Sequence, residues 1–178
     1  REALLRYLEA RYEREARYLR AYALYVLALY GRNVRERAGA LLREQTLSLA
    51  ERALLALSYL AAGDRRAATD FLAELRNYYR VGTRSVTLVE PQGSWTYYGG
   101  DLQAKALLLM LYSRLDPDSQ IRQALADDLL ASARKGYWGN TSDTGWVLQG
   151  FAEAIVAGGE RAADFAAEVR LGDRVLVA

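Results

Sequence analysis

One pattern governs this chain: helices that are apolar on almost every side alternate with helices that carry a single apolar stripe, and glycine or aspartate marks the stops between them. In "ALLALSYLAAGDRRAATDFLAEL" an apolar run reaches Gly63, Asp64 follows as an N-cap, and an amphipathic run continues to about Tyr79. A helix apolar all round has to be covered on several sides, whereas a striped helix needs cover on one. A chain built this way folds by stacking helical hairpins, with one deeply buried helix in each pair.

The pattern extends in both directions. Leu4, Leu5, Leu8 and Tyr12 recur at helical steps and predict a first helix from about Glu2 to Ala16. Leu19 to Tyr30 is apolar nearly all round and stops at Gly31, and a shorter helix is expected near Val34–Arg43. Farther on, Asp116-Pro117-Asp118-Ser119 turns the chain between helices expected at Asp101–Leu115 and Gln120–Arg134. A last helix is expected from Thr141 to about Ala157, ending at Gly158-Gly159. The chain contains only two prolines, Pro91 and Pro117. The expected fold is therefore mainly α, with hairpins arranged as part of an α/α toroid or a solenoid.

Two segments depart from helical spacing. "SVTLVEPQGSWTYY" alternates β-branched and aromatic residues about Glu90-Pro91-Gln92-Gly93, which predicts an inserted β-hairpin over Ser85–Tyr98. In the tail, Val169 and Leu171, then Val175 and Val177, alternate about Gly172-Asp173, as the opening hairpin of a β-domain does.

Composition excludes several chemistries. The 24 basic and 22 acidic residues are interleaved, as in "RYLEARYEREARYLR", and form no basic footprint for nucleic acid. With no cysteine there is no disulfide, thiolate metal site or thiol nucleophile, and with no histidine the usual general base and zinc ligand are missing. The longest apolar runs, "AYALYVLALY" and "ALLLMLY", are shorter than a transmembrane segment. The chain opens inside a helical pattern without a start methionine, and is expected to be an excised piece.

Few residues are candidates for a site. Gly136, Trp138, Gly139, Thr141, Asp143, Thr144 and Trp146 form a polar turn flanked by tryptophans, readable as a ligand cage or as a structural hinge between helices. Without converging charged groups the packed hinge is favoured, with the glycines bending the chain round Trp138, Thr141 capping the next helix, and Trp146, Gly150 and Ala154 lining one face for a close neighbour. Tyr7, Tyr18, Tyr22, Tyr25 and Tyr30 could line a groove, although helical spacing favours half-buried packing. Gln92-Gly93-Ser94-Trp95 is similar to the Gln-Trp repeats of cyclase toroids, whose chemistry needs an acidic cluster. Asp127-Asp128 and Asp116/Asp118 are weak candidates for one and read better as solvated helix and cap residues.

The run "GYWGNTSDTGWVLQGFAEAI" resembles the stretch near the end of the thioester domain in the α2-macroglobulin family, where a Gly-x-Trp turn precedes Thr-x-[Asp/Glu]-Thr and an apolar helix. Upstream, "YALYVLALYGR", "ALLALSYLAAGDRRAA" and "AKALLLMLYSRLDPDSQI" are similar to successive hairpins of the family's bacterial branch. The resemblance implies the C-terminal part of an α/α toroid over residues 1–166 and the entry to a following β-domain over 167–178. It also implies a part in a bacterial protease trap of the periplasm or cell envelope, whose partners are proteases met through the full-length parent and the other domains of the same chain, with no cofactor. The family's thioester forms within a Cys-x-Glu-Gln segment. Here "LLREQTLSL" places Leu42 where the thiol belongs, so Glu44 and Gln45 are expected on a helix surface, and no thioester chemistry or other catalysis is expected in this segment. A toroid enzyme of the terpene-cyclase kind and a helical interaction scaffold are the alternatives.

Overall fold

The structure, a computed structural model, describes residues 1–44, 47–89 and 100–159 and the two strands at 169–171 and 174–177. Among these, eight α-helices follow one another: α1 (Glu2–Arg11), α2 (Arg17–Leu29), α3 (Arg35–Leu42), α4 (Leu49–Ala61), α5 (Arg65–Leu75), α6 (Asp101–Leu115), α7 (Gln120–Ser132) and α8 (Thr141–Ala157). Strands β1 (Tyr79–Val81) and β2 (Val86–Leu88) stand between α5 and α6, and β3 (Val169–Leu171) and β4 (Arg174–Val177) come last. The chain is thus mainly α with an inserted β-hairpin and a short β segment at its end. No helix among the described residues is long and apolar enough to cross a membrane.

The stops act through the backbone. Gly31 and Gly63 adopt positive φ, 75° and 81°. In each case the following residue donates back to the helix: Arg32 N to Leu27 O at 3.0 Å, and Asp64 N to Tyr59 O at 2.9 Å. This is the left-handed helix end that glycine adopts without a Cβ clash. Asp64 then opens α5 by accepting from Ala67 N at 3.1 Å. Ser48 and Glu51 form a reciprocal capping box at the start of α4.

Two expected boundaries shift. The first helix does not run to Ala16: α1 ends at Arg11, a 3-10 turn covers Tyr12–Arg14, and Ala16 begins α2. The break buries the Tyr12 ring beneath the guanidinium groups of Arg20 and Arg37. Likewise α5 stops at Leu75, and Tyr79 is a strand residue whose buried hydroxyl lies 2.6 Å from that of Tyr112 on α6. The inserted hairpin is also built differently. Val86–Leu88 pair antiparallel with Tyr79–Val81 across a turn closed by Gly82 N donating to Ser85 O at 2.8 Å. The expected turn at Glu90–Gly93 and the strand to Tyr98 lie outside the described residues, as do Gln45 and Thr46.

Asp127 and Asp128, weighed above as an acidic cluster, hold this hairpin against α7. Asp127 pairs with Arg84 at 3.2 Å, and Asp128 accepts from Val86 N at 2.9 Å and from Lys105 at 2.8 Å. In the tail, β3 and β4 pair antiparallel, Val169 with Val177 and Leu171 with Arg174. The Gly172-Asp173 turn lies outside the described residues.

Side-chain pairs fix the helix directions. Arg17 meets Glu51, Tyr18 meets Gln103 and Gln103 meets Ser142, which gathers the N-terminal ends of α2, α4, α6 and α8 at one end of the molecule. At the opposite end Arg114 of α6 reaches Glu153 of α8 at 2.9 Å. The even-numbered helices therefore run parallel. The odd-numbered helices return between them, as Arg35 at the start of α3 pairing with Asp64 and Arg122 at the start of α7 donating to Ala154 O require. Burial follows the same division except at α8: α4 and α6 are buried over most of their length, whereas α3, α5, α7 and α8 bury a few residues each.

Candidate binding groove and the Trp138 turn

The turn before α8 is held by backbone and side-chain hydrogen bonds around Trp138. Arg134 and Tyr137 exchange backbone hydrogen bonds of 2.9 and 3.2 Å about Lys135 and Gly136, whose φ values are 53° and 83°. Two successive positive φ angles define the tight turn in which glycine is preferred and lysine is unusual. Trp138 is 7% exposed and its indole N–H donates to Leu129 O at 2.6 Å. The Thr144 hydroxyl bridges its backbone, accepting from Trp138 N at 3.1 Å and donating to Trp138 O at 2.8 Å. At Gly139, φ is 42° and a Cβ would stand 2.4 Å from Asp143 Oδ2, so a side chain there would be strained and would displace the Asp143 carboxylate from Asn140. The cap of α8 is Asn140, not Thr141: its Oδ1 accepts from Asp143 N and its amide donates to Asp143 Oδ2, both at 2.9 Å. Thr141 is exposed and begins the helix proper.

Behind the turn, α8 packs closely on α6. A Cβ on Gly150 would lie 3.1 Å from Ala106 O, and Val147, Gly150 and Ala154 make up the buried face. The two tryptophans consequently face different surroundings. Trp138 is core, its ring 5.9 Å from that of Phe151, whereas Trp146 is half-buried and meets Tyr22 edge-on at 5.7 Å.

That second contact lies in a groove of about 490 Å³ between α2 and α8. From α2 it is lined by Tyr18, Tyr22, Tyr25 and Leu29 at steps of four, three and four, one face of a helix. From α8 it is lined by Ser142, Gly145, Trp146 and Gln149. A hydrogen-bonded chain links its two sides through buried Gln103: the Tyr18 hydroxyl lies 3.0 Å from Gln103 Oε1, and Gln103 Nε2 donates to the Ser142 hydroxyl at 3.2 Å. Burial pushes the Tyr18 hydroxyl up to about 12, partly offset by a hydrogen bond from Trp146. Burial also raises Tyr25, against the pull of Arg114. None of the described side chains lining the groove is charged.

Three of the five tyrosines that sequence spacing offered as a groove are therefore brought together, and two are not. Tyr7 lies exposed on α1 with its hydroxyl accepting from Arg11, and Tyr30 lies exposed beneath Arg1. The α8 side of the groove was not anticipated. Its signal was the composition of α8, in which Asp143 and Glu153 are the charged residues and the outward positions carry none.

Among the described residues no group of three acidic side chains is placed to hold a metal ion. Comparison with known protein families, with curated proteins and with solved structures finds no match.

Proposed function

We propose that the chain is a non-catalytic helical domain of a bacterial α2-macroglobulin-like protease trap, working in the periplasm or cell envelope as part of a longer polypeptide. The observation that carries the reading is the Trp138 turn. Its glycines, indole and Thr144 hydroxyl are all engaged in joining α7 to α8, as expected of a structural motif shared by a family of domains and not of a catalytic one. The parallel row α2, α4, α6, α8 with returning outer helices supports it, because stacked hairpins of this kind make up an α/α toroid. Glu44 lies just past the end of α3 and not on a helix, and its carboxylate pairs with Arg20 at 2.7 Å.

A trap encloses a protease without blocking its active site. The full-length polypeptide, incubated with trypsin, should leave hydrolysis of a small chromogenic peptide intact while suppressing hydrolysis of casein. Casein hydrolysis at the rate of free trypsin would overturn the proposal, as would recovery of the parent protein in the cytoplasmic fraction.

The aromatic groove favours a second reading, a helical interaction scaffold, because an uncharged concave surface suits a partner better than a reaction. The cyclase-like alternative loses one of its two candidate acid pairs, since Asp127 and Asp128 are committed to the hairpin.

A further inference from the structure

Where this chain buries helix against helix it uses aliphatic side chains: apart from Met110 and Tyr112, the buried apolar residues of α4 and α6 are Leu and Ala. The groove between α2 and α8 is walled differently. Tyr18, Tyr22 and Tyr25 stand on one side and Trp146 on the other, around about 490 Å³. The rings of Tyr22 and Trp146 lie 5.7 Å apart at 84° to one another, a right-angled corner. Tyr22 is 41% exposed, and Trp146 is half-buried with its indole N–H given to the Tyr18 hydroxyl. Tyr18 is held in turn by Gln103, so the corner is fixed from behind and open in front.

Its electrostatics favour one sign of charge. The faces of aromatic rings are negative, and no described side chain lining the groove is basic. Of the carboxylates felt at Tyr18 and Tyr25, Glu51 and Glu153 are paired with Arg17 and Arg114. Asp143 has no basic partner among the described residues, and its carboxylate accepts from the neutral Asn140 amide. A cation is therefore attracted, yet no lining carboxylate is present to replace the water of a metal ion or a primary ammonium. A cation sheathed in methyl groups needs no such replacement. We propose that the α2–α8 groove binds a quaternary ammonium group, such as the trimethylammonium of choline, seated in the corner of Tyr22 and Trp146 within about 6 Å of both ring centroids. The site stands whether or not the chain serves in a protease trap.

Calorimetric titration at constant ionic strength, with choline chloride exchanged for sodium chloride, should give a dissociation constant of about 1 mM or below. The neutral analogue, in which a tert-butyl group replaces the trimethylammonium, has the same shape and should bind at least about tenfold more weakly, because it lacks the cation–π attraction. Tyr22→Leu and Trp146→Leu keep an apolar wall but remove a π face, and each should weaken choline about tenfold while circular dichroism and binding of the analogue stay unchanged. Tighter binding to phosphatidylcholine vesicles than to free choline would assign the group to a lipid, and binding to free choline alone would assign it to a solute; both carry the site. Equal affinity for choline and its neutral analogue would overturn the proposal, since any apolar cover would then serve. So would the absence of choline binding, or choline binding unchanged in both leucine variants.

Discussion

Trp138 and Trp146 stand eight positions apart in sequence, yet their substitutions should differ widely in cost. Truncating Trp138 removes a buried indole and one of the two donors to the Leu129 carbonyl, which keeps the Ser132 hydroxyl, at a cost of about 3–5 kcal/mol. Trp146 is half-buried over the groove, and Trp146→Ala should cost roughly 1–2 kcal/mol for the apolar area it uncovers. At about 2–4 °C per kcal/mol for a chain of this size, Trp138→Ala should lower the melting midpoint on the order of 10 °C and Trp146→Ala by only a few. Equal shifts would contradict the placement of the two rings. Sequence spacing could mark both residues as apolar helix neighbours but could not separate them. The difference arises because Trp138 turns back onto the end of α7, a contact fixed by the positive φ angles of Lys135 and Gly136. For the same reason Thr141 looked like the cap although Asn140, one residue earlier, has the extended backbone and the amide that α8 uses.

Helix α8 carries two interior glycines with opposite reasons for being there. At Gly145 a methyl group would meet nothing within 4 Å, so Gly145→Ala should raise stability by up to about 1 kcal/mol through helix propensity alone. At Gly150 the same methyl group would press on Ala106 O at 3.1 Å and Leu109 Cδ2 at 3.4 Å, both of them fully buried residues of α6. The propensity gain is then outweighed by overpacking, typically about 1–3 kcal/mol, and Gly150→Ala should lower the midpoint. Denaturant titration of the two variants should move the midpoint in opposite directions; two shifts of the same sign would refute the close α6–α8 crossing. At this scale the sequence was most informative where periodicity was longest. The bounds of α6 coincide with those the apolar pattern predicts, because a run covered on every side leaves no other conformation able to bury it. The ends of α1 and α5 were misjudged because apolar spacing continues through Tyr12 and Tyr79. Only tertiary contacts, cation–π stacking on Tyr12 and the Tyr79–Tyr112 hydroxyl pair, decide that the helix stops first.

Across the whole molecule, the absence of histidine and cysteine leaves a wide pH interval between the carboxylates and the tyrosines in which no side chain ordinarily titrates, and stability should be flat there. Above it, burial raises Tyr12, Tyr18, Tyr25, Tyr59, Tyr79 and Tyr112 from the ordinary value of 10.0. A phenol with a raised folded-state value stays protonated in the fold after the unfolded chain has begun to ionise, so the unfolded state binds fewer protons and stability falls with pH. The contribution is complete below about pH 10. For Tyr18, pushed to about 12, it is lost as pH climbs through that value. Tyr18→Phe removes the hydrogen bond to Gln103 and should cost roughly 1 kcal/mol at neutral pH. It also removes a proton that the fold holds, so the gap between wild type and variant should narrow steadily between about pH 10 and 12. Urea midpoints of both proteins at pH 8, 10 and 11.5 test this. Parallel lines would mean that the Tyr18 hydroxyl is not buried, and the hydrogen-bonded chain from Tyr18 through Gln103 to Ser142 would fall with it.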